Sequence, residues 1–496
     1  MPLALPNVEL AGIAPELVLT ATAFVILLVD AVLGPRLNRL YLPVLSTAGL
    51  VGAIGLALDA RQVGELQLSR MVAVDGFAAF VKVTLACFGL LTVWLGRDYL
   101  ARAAMEESEF YGLVLFAVAG MMVMASAADL IVMFVALETF SIALYVLVGF
   151  RRASVTGQES AMKYLLLGAF SSAFFLLGIA FVYGAVGSTN LYGRLGGPGS
   201  APGIFEFLQT TPASDLGLLV LASGLLIVGL GFKIAAVPFH MWTPDAYQGA
   251  PSPVTGFMAA GSKIAGFAAL IRLFDATLFS LRADWRPLLI GIAVLTMVVG
   301  SVLAVVQEDI KRLLAYSSIA HAGFVLTGVI AANDRGVSGA LFYLATYGIT
   351  VLGAFAVVSV LAGRDEGSVK LVDYKGLFYR RPLLAGALML FLLALAGVPI
   401  TSGFVGKLLV FGAAIDAGYW WLVVVGAVTS AIAAFFYLRV LVVMYMQEPD
   451  EATRFAAPEP GAGAVIALAA AATIVLGLFW GPLIDLAEKA TLVAGS

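Results

Sequence analysis

About fourteen runs of some twenty apolar residues follow one another along the chain, and no other feature constrains its fold so tightly. A run of that length spans a lipid bilayer as a helix. Backbone N–H and C=O groups in hydrocarbon must be satisfied within the structure, so each run is expected to close its own hydrogen bonds. Hydropathy places the helices near 13–33, 40–58, 77–95, 110–125, 130–150, 161–186, 216–237, 254–274, 288–306, 313–331, 337–361, 383–414, 420–446 and 462–484. The composition agrees: 61% of residues are hydrophobic, 12% are charged, and the mean hydropathy is +1.02. The expected fold class is an all-α polytopic membrane protein.

The loops carry little chemistry of their own. The net charge is −3, and no basic tract suggests nucleic acid. The single cysteine, Cys87, lies in an apolar run, which excludes a disulfide, a CxxC redox pair or a four-thiolate cluster within the chain. The two histidines are His240 and His321, and His240 follows Pro238 in an aromatic, loop-like stretch. Neither a GxGxxG after a strand nor a GxxxxGK[ST] is found. The chain is therefore expected to bind no nicotinamide, nucleotide, flavin or redox metal itself. No Lys or Arg precedes Arg36, so the first apolar run is expected to be retained rather than cleaved.

An even number of helices puts both termini on one side. Arg36, Arg39, Arg97, Arg102, Arg151, Arg152, Lys311, Arg312, Arg364, Arg380, Arg381 and Arg454 are among the cations of one set of loops. The other set holds only Arg61, Arg70, Arg194, Arg282, Arg286, Arg335 and Lys489. An excess of about twofold assigns the first set to the cytoplasm and both termini to the outside. The longest external loop contains GRLGGPGSAPG, a flexible linker.

Two helices are expected to be broken. The run 383–414 is longer than one crossing needs and has Gly397-Val398-Pro399 near its middle, and the seventh helix contains Val237-Pro238. Unwound backbone at membrane depth is tolerated where it lines a protein cavity, and such breaks in corresponding halves mark transport sites. The two breaks stand five helices apart. Helices 4–8 and 9–13 then form two units of opposite topology, an inverted repeat, because five is odd. The corresponding domain reading is 1–100 for an N-terminal three-helix segment, 101–275 and 276–450 for the repeats, and 451–496 for the last helix.

A charge at the centre of a spanning helix costs about 2.5–3.5 kcal/mol on insertion scales. Glu138, Lys233, Lys263 and Lys407 bear that cost, and His321 is a fifth polar residue at depth. Ser141 and Tyr145 share the helical face of Glu138. Lys263 is accompanied by Gly256, Ala259, Ala260 and Gly266, small residues that let another helix approach. A structural carboxylate at 138, a snorkelling amine at 233 and a satisfied core histidine at 321 are the plainer readings. By contrast, Lys82, Lys163, Arg272 and Asp30 are read as snorkelling, helix-end or structural charges. Taken out of water, a lysine loosens its hold on its proton, and an approaching carboxylate restores it. A row of such amines suits proton transfer. A sodium or calcium site would need several carboxylates or carbonyls together, and one deep acid is present.

The stretches ALETFSIALYVLVGF, ESAMKYLLLGAFSSAFFLLGIAFVYG, GFKIAAVPFHMWTPDAYQGAPSPVTGFMAAGSKIAGF, QEDIKRLLAYSSIAHAGF and GVPITSGFVGKLLVF resemble the antiporter-like membrane subunits of respiratory complex I. Within that set they are most similar to the subunit N group, which is related to mitochondrial NADH dehydrogenase subunit 2. The resemblance spans roughly 70–450. It implies that Glu138 and Lys233 form a modulating pair, that Lys263 joins two half-channels, and that His321 and Lys407 complete the transfer path. A lysine rather than a glutamate at 407 separates the chain from the subunit M group. The resemblance further implies proton translocation coupled to NADH oxidation by quinone and a place in the bacterial inner membrane. Flavin and iron–sulfur clusters would reside in partner subunits. A subunit of a multi-subunit cation/proton antiporter, which shares the fold, is the alternative; a solute transporter would need a more polar cavity.

Overall fold

The computed structural model describes residues 10–492 apart from 35–37, 63, 106, 194–201, 213–215, 364–365, 367–368 and 450–456. Arg36, Arg194, Arg364, Arg454 and most of GRLGGPGSAPG lie outside the described residues.

Among the described residues, twelve helices are long and apolar enough to cross a membrane, and two shorter apolar helices bring the number close to the fourteen expected. The first six are α1 (Leu10–Leu33), α2 (Tyr41–Asp59), α3 (Gly76–Ala103), α4 (Ser108–Ser126), α5 (Leu130–Val148) and α6 (Val155–Val186). The seventh span is broken into α7a (Gly217–Lys233) and α7b (Trp242–Gly249). Then come α8 (Ser252–Thr277), α9 (Phe279–Val305), α10 (Ile310–Ala331) and α11 (Asp334–Leu361). The twelfth span is again broken, into α12a (Pro382–Ala396) and α12b (Ser402–Asp416). The last spans are α13 (Trp420–Met446) and α14 (Pro460–Leu478), followed by the short α15 (Gly481–Glu488).

Both breaks fall where proline and glycine forecast them. Helix α7a stops at Lys233, before Pro238, and α12a stops at Ala396, capped by Gly397, whose φ of +88° is left-handed. Several helices run past their apolar cores. α3 reaches Ala103 and α6 begins at Val155, because polar residues at the membrane surface keep helical hydrogen bonds that hydropathy does not register. Asp75 and Ser154 cap these helices by accepting from the backbone N–H groups of Ala78 and Gly157. A small antiparallel hairpin, β1 (Glu65–Gln67) with β2 (Val72–Val74), interrupts the all-helical expectation between α2 and α3.

Helices α8, α10 and α11 are almost wholly enclosed, whereas α1, α13 and α14 face outward over most of their surface. Gly266 explains how α8 enters the centre: a Cβ there would lie 2.8 Å from the Ile234 side chain. The close approach to the broken seventh span thus requires the small residue that the sequence supplies. Helix α8 is also irregular, with π turns over Met258–Ser262 and Ile271–Thr277.

The bundle has a basic end and an opposite end. At the basic end Arg312 pairs with Asp245 at 2.7 Å, and Lys163, in the third turn of α6 rather than at its end, pairs with Glu159 and Asp245. Lys311 is completely buried there and pairs with Glu366 at 2.8 Å. Asp30 binds Arg39 and Tyr41, the structural role read for it.

Two sequence readings are corrected at the opposite end. Lys82 does not snorkel: it is 4% exposed, ion-pairs with Glu16 at 2.7 Å and donates to the Gly12 carbonyl. Arg272 is not a solvated helix-end charge. Its guanidinium is 0% exposed and grips both carboxylate oxygens of Asp75, at 2.9 and 3.0 Å. The partners of both cations lie almost two hundred residues away or on an earlier helix, where local pattern cannot find them.

Candidate functional site

The five ionisable residues singled out in the sequence are brought into one row across the middle of the bundle. Glu138 on α5 is half-buried and accepts a hydrogen bond from Ser172 on α6. One turn further along α5, Ser141 accepts from the Lys233 ammonium at 2.6 Å. Among the described residues no ion pair joins Glu138 to Lys233; the Ser141 hydroxyl takes the ammonium and Ser172 takes the carboxylate. Lys233 is 1% exposed and sits inside an aromatic cage. The ring centroids of Phe140, Tyr145, Tyr164 and Phe232 lie 5.5, 5.5, 5.8 and 5.4 Å from its nitrogen. Ring faces stabilise a cation where little water reaches, so the cage offsets part of the cost of burying the ammonium.

The break in the seventh span supplies the next contact. Lys263 donates to the Ile234 carbonyl at 3.0 Å and to the Ser318 carbonyl at 2.6 Å. Ile234 is the C-terminal cap of α7a, where carbonyls have no helical partner and the helix dipole is negative, so an ammonium is favoured. The twelfth span repeats the device. Lys407 donates to the carbonyls of Leu395 and Ala396, at 3.2 and 2.8 Å, which end α12a. It donates also to Ser430 on α13, at 2.6 Å. Gly397 lets this happen, because a Cβ would lie 3.1 Å from the amine and the φ of +88° suits no L side chain.

His321 lies between these two lysines. Its Nδ1 is 2.7 Å from the Tyr343 hydroxyl and its Nε2 is 3.3 Å from the Tyr437 hydroxyl, which in turn bonds Ser317. Ser317 and Ser318 precede His321 by about one turn of α10, so the Lys263 contact at Ser318 and the histidine share one stretch of helix. On the other side Phe324 separates His321 from Lys407, with its ring centroid 4.9 Å from the lysine nitrogen. Tyr437 and Ser430 both belong to α13, which therefore touches both members.

Ser141 and Tyr145 were legible in the sequence as sharing the face of Glu138. Ser172, Ser430, Tyr343, Tyr437 and the remaining cage residues were not, because hydroxyls and rings inside apolar helices leave no mark on hydropathy. Among the described residues no group of three or more His, Cys, Asp or Glu stands close enough to hold a metal ion.

The family described as NADH:quinone oxidoreductase/Mrp antiporter, TM matches residues 127–433, a span that contains all five residues. NADH-quinone oxidoreductase subunit N of Parafrankia sp. is 44% identical over 98% of this chain and 95% of its own. The subunit of the same name from Chloroflexus aggregans is 43% identical over 99% of both. A chain of respiratory complex I from Thermus thermophilus superposes with a TM-score of 0.80 at 37% identity, covering 96% of this chain and all of its own. A chain of the Mrp complex from a Dietzia species has the same TM-score at 22% identity, a likeness of fold alone. The chain belongs to the family of NADH-quinone oxidoreductase N subunits.

Proposed function

We propose that the chain is a proton-translocating membrane subunit of a NADH–quinone oxidoreductase and that protons pass along Glu138, Lys233, Lys263, His321 and Lys407. The observation that carries this reading is the row itself: five ionisable side chains from five different spans, each held by hydroxyls or freed carbonyls rather than neutralised by a fixed counter-ion. A lysine in a salt bridge keeps its proton; one held by neutral acceptors can release it when its surroundings change. Bringing Glu138 nearer Lys233 favours a bound proton there, and moving it away favours release toward Lys263. Each transfer moves one proton from a protonated carboxyl, ammonium or imidazolium group to the unprotonated form of the next group in the row, and separations beyond hydrogen-bond reach are bridged by water. The work to be matched is about 2.3 kcal/mol per charge for each 100 mV of membrane potential.

The row ends near the lateral surface, at half-buried Glu138 and at Lys407 beside the exposed Leu408, faces open to neighbouring membrane subunits of the complex. The two repeats occupy 101–275 and 276–450, between the segments 1–100 and 451–496. The chain holds no redox centre; flavin, iron–sulfur clusters and the quinone chemistry belong to partner subunits. The protein lies in the bacterial inner membrane. Its basic end faces the cytoplasm and both termini face outward, by the excess of positive charge at that end.

In the assembled complex, Glu138→Gln and Lys407→Met are each expected to lower the protons moved per NADH oxidised, while NADH oxidation with an artificial acceptor at the redox subunits continues. An unchanged quotient in both variants would remove the row from the pathway. Orientation is checked with a C-terminal reporter that fluoresces only in the cytoplasm; a bright fusion would reverse the topology.

A further inference from the structure

At the opposite end of the bundle, α2, α3 and α15 enclose a cleft of about 480 Å³. Its walls are apolar, formed by Leu58, Phe80, Leu483 and Leu486, and its lining includes two cations, Arg61 and Lys489. Leu58 and Leu486 are 45% and 52% exposed. The C-terminal segment is fixed in this position. Phe77 N–H donates to the Thr491 carbonyl at 3.2 Å, and the Lys489 carbonyl lies so close to Gly76 that a Cβ there would meet it at 2.8 Å. Lys489 is thereby held over the start of α3, and Arg61, in the turn that follows α2, lines the same cleft. Neither cation takes part in an ion pair among the described residues, and the acids of the same elements, Asp59, Asp485 and Glu488, do not line the cleft.

We propose that this cleft binds an anionic phospholipid, with its phosphate between Arg61 and Lys489 and an acyl chain along Leu58, Phe80, Leu483 and Leu486. The volume falls in the range of ligand pockets, about 300–1,000 Å³. The charge and the apolar groove are both needed to match this occupant. A soluble phosphate would leave the leucines and Phe80 facing lipid unused, and a purely apolar partner would leave two cations at the rim unanswered. Cations at the end of a spanning helix attract anionic headgroups. The lipid would tie α15 to α2, a helix that otherwise presents much of its surface outward. The site lies away from the buried row, so it does not depend on the transfer pathway.

The test uses the intact purified complex in nanodiscs containing a phosphatidylglycerol with a photoactivatable diazirine on its acyl chain, or the matching phosphatidylcholine. Labelled peptides are mapped by mass spectrometry. Phosphatidylglycerol is expected to label the segments around Phe80 and Leu483 in preference to phosphatidylcholine. Arg61→Gln and Lys489→Gln are each expected to reduce that labelling about fivefold. Arg61→Lys should retain most of it, which separates lost charge from lost folding. Added inorganic phosphate should not compete. Equal labelling by both lipids, unchanged labelling in both glutamine variants, competition by inorganic phosphate alone, or cross-linking of the cleft to another subunit in place of lipid would each overturn the proposal.

Discussion

Replacing Lys263 with methionine in the assembled complex is expected to abolish proton translocation through this chain while leaving the chain folded. The amine bonds both the freed Ile234 carbonyl of the broken seventh span and the Ser318 carbonyl beside His321. Methionine fills nearly the same volume, so packing in α8 is kept, but on the proposed pathway the amine that joins the Lys233 and His321 halves is then gone. A proton crossing that gap would pass through apolar surroundings, and every 1.4 kcal/mol added to the barrier slows it about tenfold. A loss well beyond tenfold is therefore expected in proton uptake measured with a pH-sensitive dye in sealed vesicles. Lys263→Arg sharpens the test. Arginine keeps the positive charge and can bond the same carbonyls, but it does not release its proton near neutral pH. If the arginine variant transports normally, the amine serves only as a fixed charge and proton exchange at this position is wrong. If both variants fail with the complex intact, charge alone is insufficient.

Arg272→Met is expected to produce the largest loss of stability of any single substitution at the opposite end. The guanidinium is 0% exposed, forms a two-pronged contact with Asp75, and also donates to the Ala125 carbonyl at 3.0 Å. Removing it takes the cationic partner from a buried carboxylate that also accepts from the Ala78 N–H, which costs about 3–5 kcal/mol. The same carboxylate caps α3, so the loss reaches both α3 and α8. Thermal unfolding of the purified complex, followed by the fraction of this chain still soluble, measures the effect. Combining Arg272→Met with Asp75→Leu should recover much of the loss, because neither charge is then stranded; only the cap is lost, at about 1 kcal/mol. A single variant as stable as the parent would mean that water reaches this pair and that its burial is not maintained in the membrane.

Much of the architecture was legible because the membrane allows few alternatives. Long apolar runs had to be helices, and Val237-Pro238 and Gly397-Val398-Pro399 had to break two of them, as the ends of α7a and α12a at Lys233 and Ala396 bear out. Glu138, Lys233, Lys263 and Lys407 stood out for the same reason: an ionisable group amid hydrocarbon is conspicuous. The charges misread were those with distant partners. Lys82 looked able to reach solvent and Arg272 looked like a helix terminus. Glu16 lies on another helix and Asp75 lies almost two hundred positions away, so no periodicity pointed to either pair. The hairpin of β1 and β2 was missed because three-residue strands are too short to show an alternation.

The chain's own residues determined that it spans a membrane many times, where two spans are interrupted and which side chains carry charge to the centre. These follow from local transfer free energies and backbone sterics, which act residue by residue. Only the tertiary structure decided what each of those charges meets: Ser141 and four rings for Lys233, two helix-end carbonyls for Lys407, a serine backbone for Lys263, two tyrosines for His321. Such partners come from helices far apart in sequence, and a hydroxyl or carbonyl is cheap enough to bury that no pattern announces it. Whether a buried amine is a locked structural cation or a carrier depends on whether its neighbours are charged or neutral, and that is a property of the packed bundle.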